Sequence, residues 1–302
     1  MRVFVTGATG FIGSAVVQEL LGAGHEVVGL ARSDQAAAAI EAAGAEVHRG
    51  SLTDLDGLRT AAAAADGVIH TAYIHDFSRM EDSMKTDRAA IETLGATLEG
   101  TGRPFVLTTG TALIRPGQVV TEEDSGSPDL ASHSRLGAEA VAKALGAHEV
   151  RTSIVRPGAS VHGVGDHGFV PFLIEIARTK GMSAYVGDGA NRWPAVHRLD
   201  AAVIYRLALE AAPAGSVFHA VAEDVPTRDI AEVIGRHLEV PVASVAPEDA
   251  GEHFGWMARF FGLDAPASSA LTQERLGWNP VQIGLIEDLD AGHYFETARL
   301  TV

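Results

Sequence analysis

The chain reads as an α/β protein, a doubly wound parallel sheet followed by a smaller, mostly helical C-terminal lobe. Three observations predict this. A short apolar run at 3–5 leads through Gly7, Gly10 and Gly13 into an amphipathic run that reaches about Leu21. Short apolar strands then alternate with helical runs as five βα units with short connectors, and a sixth strand closes the alternation. Past Pro157 the alternation stops, and glycine and proline recur without a regular period.

Bulk properties bound the function. A length of 302 residues with 46% hydrophobic content suits one large domain, or a domain with a lobe. A net charge of -16 opposes binding to nucleic acid or an anionic membrane, because both present phosphates. The chain has no cysteine, which excludes disulfides, thiolate catalysis and cysteine-ligated metal. It opens on a strand without a leader-like pattern, and no apolar run approaches a membrane span, so a cytoplasmic protein is expected.

The opening stretch carries the strongest chemical signal. Gly7 supplies a tight turn, Gly10 lets backbone approach a pyrophosphate, and Gly13 lets the helix pack closely on the strand. The free N–H groups and positive dipole end of that helix favour a diphosphate. This is a Rossmann-type cradle, and Gly7, Thr9, Gly10, Phe11, Ile12 and Gly13 are its expected cofactor contacts.

The second strand, 26–31, ends at Arg32 and Ser33, where the adenosine ribose lies in such folds. An acid there selects NAD, whereas an arginine pairs with a 2′-phosphate. Asp34 comes late for the acidic role, so NADP is favoured over NAD, the alternative being that Arg32 is a solvated loop charge. A helix at 35–43, a strand at 45–49 and an alanine-rich helix capped by Asp54 follow. The fourth strand, 66–71, contains His70, which reads as a packed core histidine. Thr71, Ala72 and Tyr73 then flank the cofactor's ribose and pyrophosphate, with His75 and Asp76 at the carboxyl edge where α/β sheets place ligands.

A long helix at 78–100 buries Met84, Ile91, Leu94 and Leu98. The fifth strand, 104–109, a turn-rich loop, a helix at 134–145 and the sixth strand, 150–156, complete the sheet. A glycine- and histidine-rich loop (158–168), a helix (169–179), an aperiodic stretch (185–197) and a helix (199–211) follow. The run 216–220 reads as one more strand added to the sheet. The predicted organisation is a dinucleotide-binding domain over 1–156, rejoined by 195–222, and a substrate lobe over 157–194 and 223–302.

The wording GATGFIG, spaced G-x-x-G-x-x-G, resembles the short-chain dehydrogenase/reductase superfamily, and within it the extended NAD(P)-dependent epimerase/dehydratase-like branch. DGVIHTA, IVRPGASVHGVGDHG, WPAVHRLDAA and TQERLGWNP resemble further elements of that branch, in order, from residue 3 to about 280. The resemblance implies that Ser51, with Leu52 beside it, stands where relatives place an aspartate on the adenine. It implies that Pro157, Gly158 and the loop after them line the nicotinamide and substrate. His162, Phe169, Trp193 and His197 fall on the substrate side. It also implies a homodimer through the helices starting near Ser78 and Ser134.

The family's machinery is Tyr-x-x-x-Lys plus a serine or threonine after the fifth strand. Matching Ser134 and Glu139 to that helix puts Ala131 at the tyrosine and Arg135 at the lysine. The other candidates are Thr109 and Thr111, to hydrogen-bond a substrate carbonyl, and His133, His75 and His162, in that order, as proton sources. Arg135 is expected to hold ribose hydroxyls or a phosphate, since it cannot shuttle a proton. Phe169 and Trp193 form either a wall for an apolar or flat substrate or the packing of the lobe. No histidine spacing matches a metal site. The expectation is an NADP-binding oxidoreductase acting on a small carbonyl or alcohol. The alternatives are a non-catalytic dinucleotide sensor and a nucleotide-sugar epimerase or dehydratase.

Overall fold

The computed structural model describes residues 1–76, 79–126, 137–146 and 148–296. Strands β1 (Arg2–Thr6), β2 (Glu26–Ala31), β3 (Glu46–Arg49), β4 (Gly67–His70), β5 (Pro104–Thr108) and β6 (Arg151–Pro157) alternate with helices α1 (Phe11–Gly22), α2 (Asp34–Ala42), α3 (Leu55–Ala63), α4 (Met80–Leu98) and α5 (Gly137–Gly146). With β10 (Ser216–Ala220) they form a seven-stranded sheet in the order β10-β6-β5-β4-β1-β2-β3, every pair parallel. The chain reverses direction across the sheet between β1 and β4, where Thr6 lies in register with His70. That switch point opens a crevice at the strands' carboxyl ends, which is where such sheets bind ligands.

Alternation along each strand builds two cores. Val3 and Val5 pack on one face with Val16 and Leu20 of α1 and with Ile204 and Tyr205 of α7 (Arg198–Ala211). Phe4 points to the other face and joins Leu58, Ile91, Leu94 and Leu145 from α3, α4 and α5. His70 is fully buried, as its apolar strand indicates: its Nδ1 lies 2.7 Å from Thr6 Oγ1 and its Nε2 lies 3.0 Å from Asp87 Oδ1.

The C-terminal part is richer in helix than in strand, but the sequence did not indicate its strands. Besides α6 (Phe169–Lys180), α8 (Thr227–Leu238), α9 (Ala250–Phe254), α10 (Ala258–Phe261), α11 (Ala270–Leu276) and α12 (Leu285–Asp290), it carries two small sheets. One has the order β11-β9-β7 (Glu223–Pro226, Arg192–His197, Ser160–His162), the other pairs β12 (Val242–Val245) with β8 (Ser183–Val186). The stretch 185–197 looked aperiodic because the four inner residues of β9 are all buried, which erases alternation, and because Pro194 argues against a central strand. A third core, including Trp193, Leu173, Ile234 and Phe261, lies here.

Candidate functional site

A cavity of about 1080 Å³ runs along the carboxyl edge of the sheet from the glycine turn to the region after β5 and β6. It exceeds the roughly 300–1,000 Å³ of most single-ligand pockets.

The glycines act at its floor. Gly7 has φ +71°, and a Cβ there would lie 2.7 Å from both Ala72 N and Thr71 Oγ1, so only glycine fits against the end of β4. A Cβ on Gly13 would stand 1.9 Å from Gly7 O, so the helix touches the turn backbone to backbone. Gly10 N–H donates to Gly7 O at 2.8 Å and closes the turn. The N–H groups of the first turn of α1, at Phe11, Ile12 and Gly13, have no intrahelical acceptors, and among the described residues no N-cap side chain accepts from them. Thr9, Phe11 and Ile12 line the same wall, with Thr71, Ala72 and Tyr73 opposite.

At the end of β2, exposed Arg32 lines the cavity. Among the described residues no hydrogen bond or ion pair engages it. The neighbouring acid is turned away, since Asp34 accepts from Arg49 at 2.7 Å. Ser33 does not line the cavity. Its hydroxyl accepts from Ala36 N–H at 3.1 Å and caps α2, so the expected cofactor contact is a helix cap. Ser51 and Leu52 do line the cavity, and Ser51 Oγ lies 2.9 Å from Thr53 Oγ1.

The opposite end is built on an ion pair that sequence reading missed. Arg156 of β6, 1% exposed, holds Glu139 of α5 in two bonds, Nε to Oε1 at 2.8 Å and Nη2 to Oε2 at 2.6 Å. Thr109 Oγ1 donates to Glu139 Oε1 at 2.9 Å, and Arg156 Nη1 donates to Asp124 O at 2.9 Å. Thr109 and Thr111 both line the cavity. Neither hydroxyl points a proton into it, because Thr111 Oγ1 is directed at Pro157 O, 3.4 Å away. The two threonines expected to hydrogen-bond a substrate carbonyl thus have their protons directed at protein acceptors. Pro157 and Gly158 line the floor. Tyr73 and His75 stand beside this end, ring centroids 5.1 Å apart in an edge-to-face contact.

The loop 163–168 covers the start of α1. His167 packs edge-on against Phe11 at 5.8 Å, and the Arg198 guanidinium sits 4.9 Å from the Phe11 ring centre. Asp166 lines the cavity. Its Oδ1 accepts from Gly168 N–H at 2.6 Å and its Oδ2 from the Tyr294 hydroxyl at 2.9 Å. Burial pushes its carboxyl up to about 6 against these hydrogen bonds.

Three residues expected on the substrate side do not line the cavity. His162 is buried off the cavity, with Nδ1 2.9 Å from Asp288 Oδ2. His197 caps α7 by accepting from Leu199 N–H, and burial followed by nearby His162 pushes its pKa down. Trp193 is 1% exposed and donates Nε1–H to Phe260 O at 3.1 Å, so it packs the lobe. Phe169 does line the cavity, joined by Phe172, Phe260 and Asp166, which were not anticipated. Of these only Phe172 carried a signal, one helical turn after Phe169. Ala131, His133 and Arg135 lie outside the described residues. Among the described residues no cluster of three metal-ligating side chains occurs, and no helix is long and apolar enough to cross a membrane.

Comparison with known proteins agrees with this architecture. The profile of the NAD dependent epimerase/dehydratase family matches residues 3–221. An uncharacterized protein of Schizosaccharomyces pombe, C2A9.02, is 50% identical over 98% of this chain and all of its own length. A 2-alkyl-3-oxoalkanoate reductase of Stenotrophomonas maltophilia is 29% identical over 76% of this chain and 73% of its own. Among solved structures, a double mutant of DesIV, a dTDP-glucose 4,6-dehydratase of Streptomyces venezuelae with NAD and DAU bound, superposes with a TM-score of 0.78 at 22% identity. That match covers 99% of this chain and 98% of the other, and it shows a shared fold. The family profile over residues 3–221, with the glycine cradle and the strand order, shows that the chain belongs to the NAD-dependent epimerase/dehydratase family of extended short-chain dehydrogenase/reductase proteins.

Proposed function

We propose that the cavity binds NADP and that the protein moves hydride between the nicotinamide and a small carbonyl or alcohol. The observation that carries this reading is Arg32, a cavity-lining cation without a partner among the described residues, beside an acid already held by Arg49. A 2′-phosphate there gains a charge-assisted pair, whereas the ribose diol of NAD finds no acid turned toward it.

The fit extends along the site. The unsatisfied N–H groups at the start of α1 accept a diphosphate. Ser51 and Leu52 border the adenine, and Thr71 to Tyr73 border the ribose. When bound, the dinucleotide supplies hydride at its nicotinamide ring. Thr109 gives its proton to Glu139 and so presents lone pairs to the cavity, which suits it to accept from a substrate hydroxyl or a carboxamide. His75, at the sheet edge beside Tyr73, supplies or removes the proton on the substrate oxygen. The relative from Stenotrophomonas, a reductase of an oxo acid, supports carbonyl reduction.

A non-catalytic sensor is the second reading, favoured by alanine at the position of the family's tyrosine and by the engaged Thr109 proton. Steady-state assays over a panel of aldehydes and ketones, with NADPH or NADH, separate the two. The proposal expects turnover on at least one carbonyl, with kcat/KM about tenfold or more higher for NADPH, and a drop of about 10²-fold in His75→Asn. Binding of NADPH without oxidation across the panel supports the sensor, and interconversion of nucleotide sugars refutes both.

A further inference from the structure

We infer that the second molecule in the cavity is an uncharged carbonyl compound bearing an aromatic ring, held by an aromatic cluster at the cavity mouth. This rests on the reading of the cavity as a reductase site and names its substrate class.

The cluster is contributed by α6 and by the short helical segment around α10. Phe169, Phe172 and Phe260 line the cavity. Phe169 and Phe260 lie 5.3 Å apart between ring centres at 33°, and Trp256 packs edge-on against Phe172 at 5.5 Å. Phe172 and Trp256 are 45% and 43% exposed. Large aromatic side chains left open to water side by side mark a ligand surface rather than a core. Phe169 and Phe260 are the cavity-facing edge of the lobe's core, Phe169 lying 5.8 Å from Trp193 between ring centres and Trp193 packing edge-on against Phe261, whereas Phe172 and Trp256 extend the cluster outward into solvent.

Charge points the same way. Among the described lining residues the acids are Asp76 and Asp166, and the one arginine, Arg32, stands at the far end beside α2. An anionic substrate such as a nucleoside diphosphate needs cations for its phosphates, and here it meets carboxylates. An uncharged aryl ketone meets neither penalty and gains offset or edge-to-face ring contacts. In the reduction its carbonyl carbon gains hydride from bound NADPH, its oxygen gains a proton from the protein, and the alcohol leaves with NADP⁺.

The test compares acetophenone, its saturated counterpart cyclohexyl methyl ketone, and UDP-glucose, by calorimetric titration into protein saturated with NADP⁺. Binding is read without turnover, so it is independent of whether the reductase reading holds. Acetophenone is expected to bind about 3- to 10-fold tighter than cyclohexyl methyl ketone, and UDP-glucose most weakly. Phe172→Leu, at an exposed position that folding tolerates, and Phe260→Leu are each expected to remove most of the aryl preference. Equal affinity for the two ketones, preference for UDP-glucose, or an aryl preference untouched by both variants overturns the inference. Aryl binding that never leads to NADPH oxidation supports the inference on the ligand and removes the reductase reading instead.

Discussion

Thr109 donates its hydroxyl proton to Glu139, 2.9 Å away, and Glu139 is in turn clamped through both oxygens by buried Arg156. The chain thus fixes the orientation of a cavity-wall hydroxyl with an ion pair drawn from β6 and α5. Removing one partner strands the other charge. Arg156→Met is expected to cost about 3–5 kcal/mol, measured by chemical denaturation, and the double variant with Glu139→Leu to recover most of it. An unchanged midpoint in Arg156→Met contradicts this role for the pair.

The glycine turn gives a prediction with an internal control. A Cβ on Gly13 meets the Gly7 carbonyl at 1.9 Å, and neither backbone can yield cheaply. Gly13→Ala is expected to destabilise by about 1–3 kcal/mol and to abolish dinucleotide binding. Gly22, at the end of the same helix, has nothing within 4 Å of an added Cβ. Gly22→Ala is expected to be neutral or stabilising by up to about 1 kcal/mol. Equal thermal shifts in the two variants contradict the close approach of helix and turn.

Asp166 predicts a pH dependence. Its carboxyl titrates at about 6 in the folded chain, above the 3.8 of an unperturbed aspartate, so the folded state binds the proton more tightly. Its contribution to stability is complete below about 4 and is lost as pH rises through about 6, with a slope of at most about 1.4 kcal/mol per pH unit. Its neighbours are Tyr294, His167 and His162. Asp166→Asn is expected to flatten the stability profile over that window. A profile parallel to the unaltered protein contradicts it. Because Asp166 also faces the cavity at the loop over α1, NADPH is expected to bind more tightly at pH 5.5 than at about pH 7.5, and the variant to lose that difference.

How much of this was legible depends on whether a signal is local. Gly7, Gly10 and Gly13 announce the turn because three glycines between a strand and a helix leave one geometry open. His70 was readable as core because its strand is wholly apolar. The strand Arg192–His197 was hidden, since burial on both sides removes the period and Pro194 mimics a loop. The clamp of Thr109, Glu139 and Arg156 gave no signal, because its members meet only through the order β6-β5 and the packing of α5 on the sheet. Trp193 and Phe169 were alike in sequence. One is sealed beneath Phe260 and the other opens to the cavity, a distinction that only the packing of α10 makes.

The central claim, a site built for NADP, is tested most directly at Arg32. Equilibrium titrations of NADPH and NADH should be run on the unaltered protein and on Arg32→Ala. The expected result is tighter NADPH binding in the unaltered protein, weakened about 10- to 100-fold by the substitution, with NADH affinity changed less than about threefold on the same scale. Equal affinities for the two nucleotides, or equal losses for both in Arg32→Ala, would contradict the account.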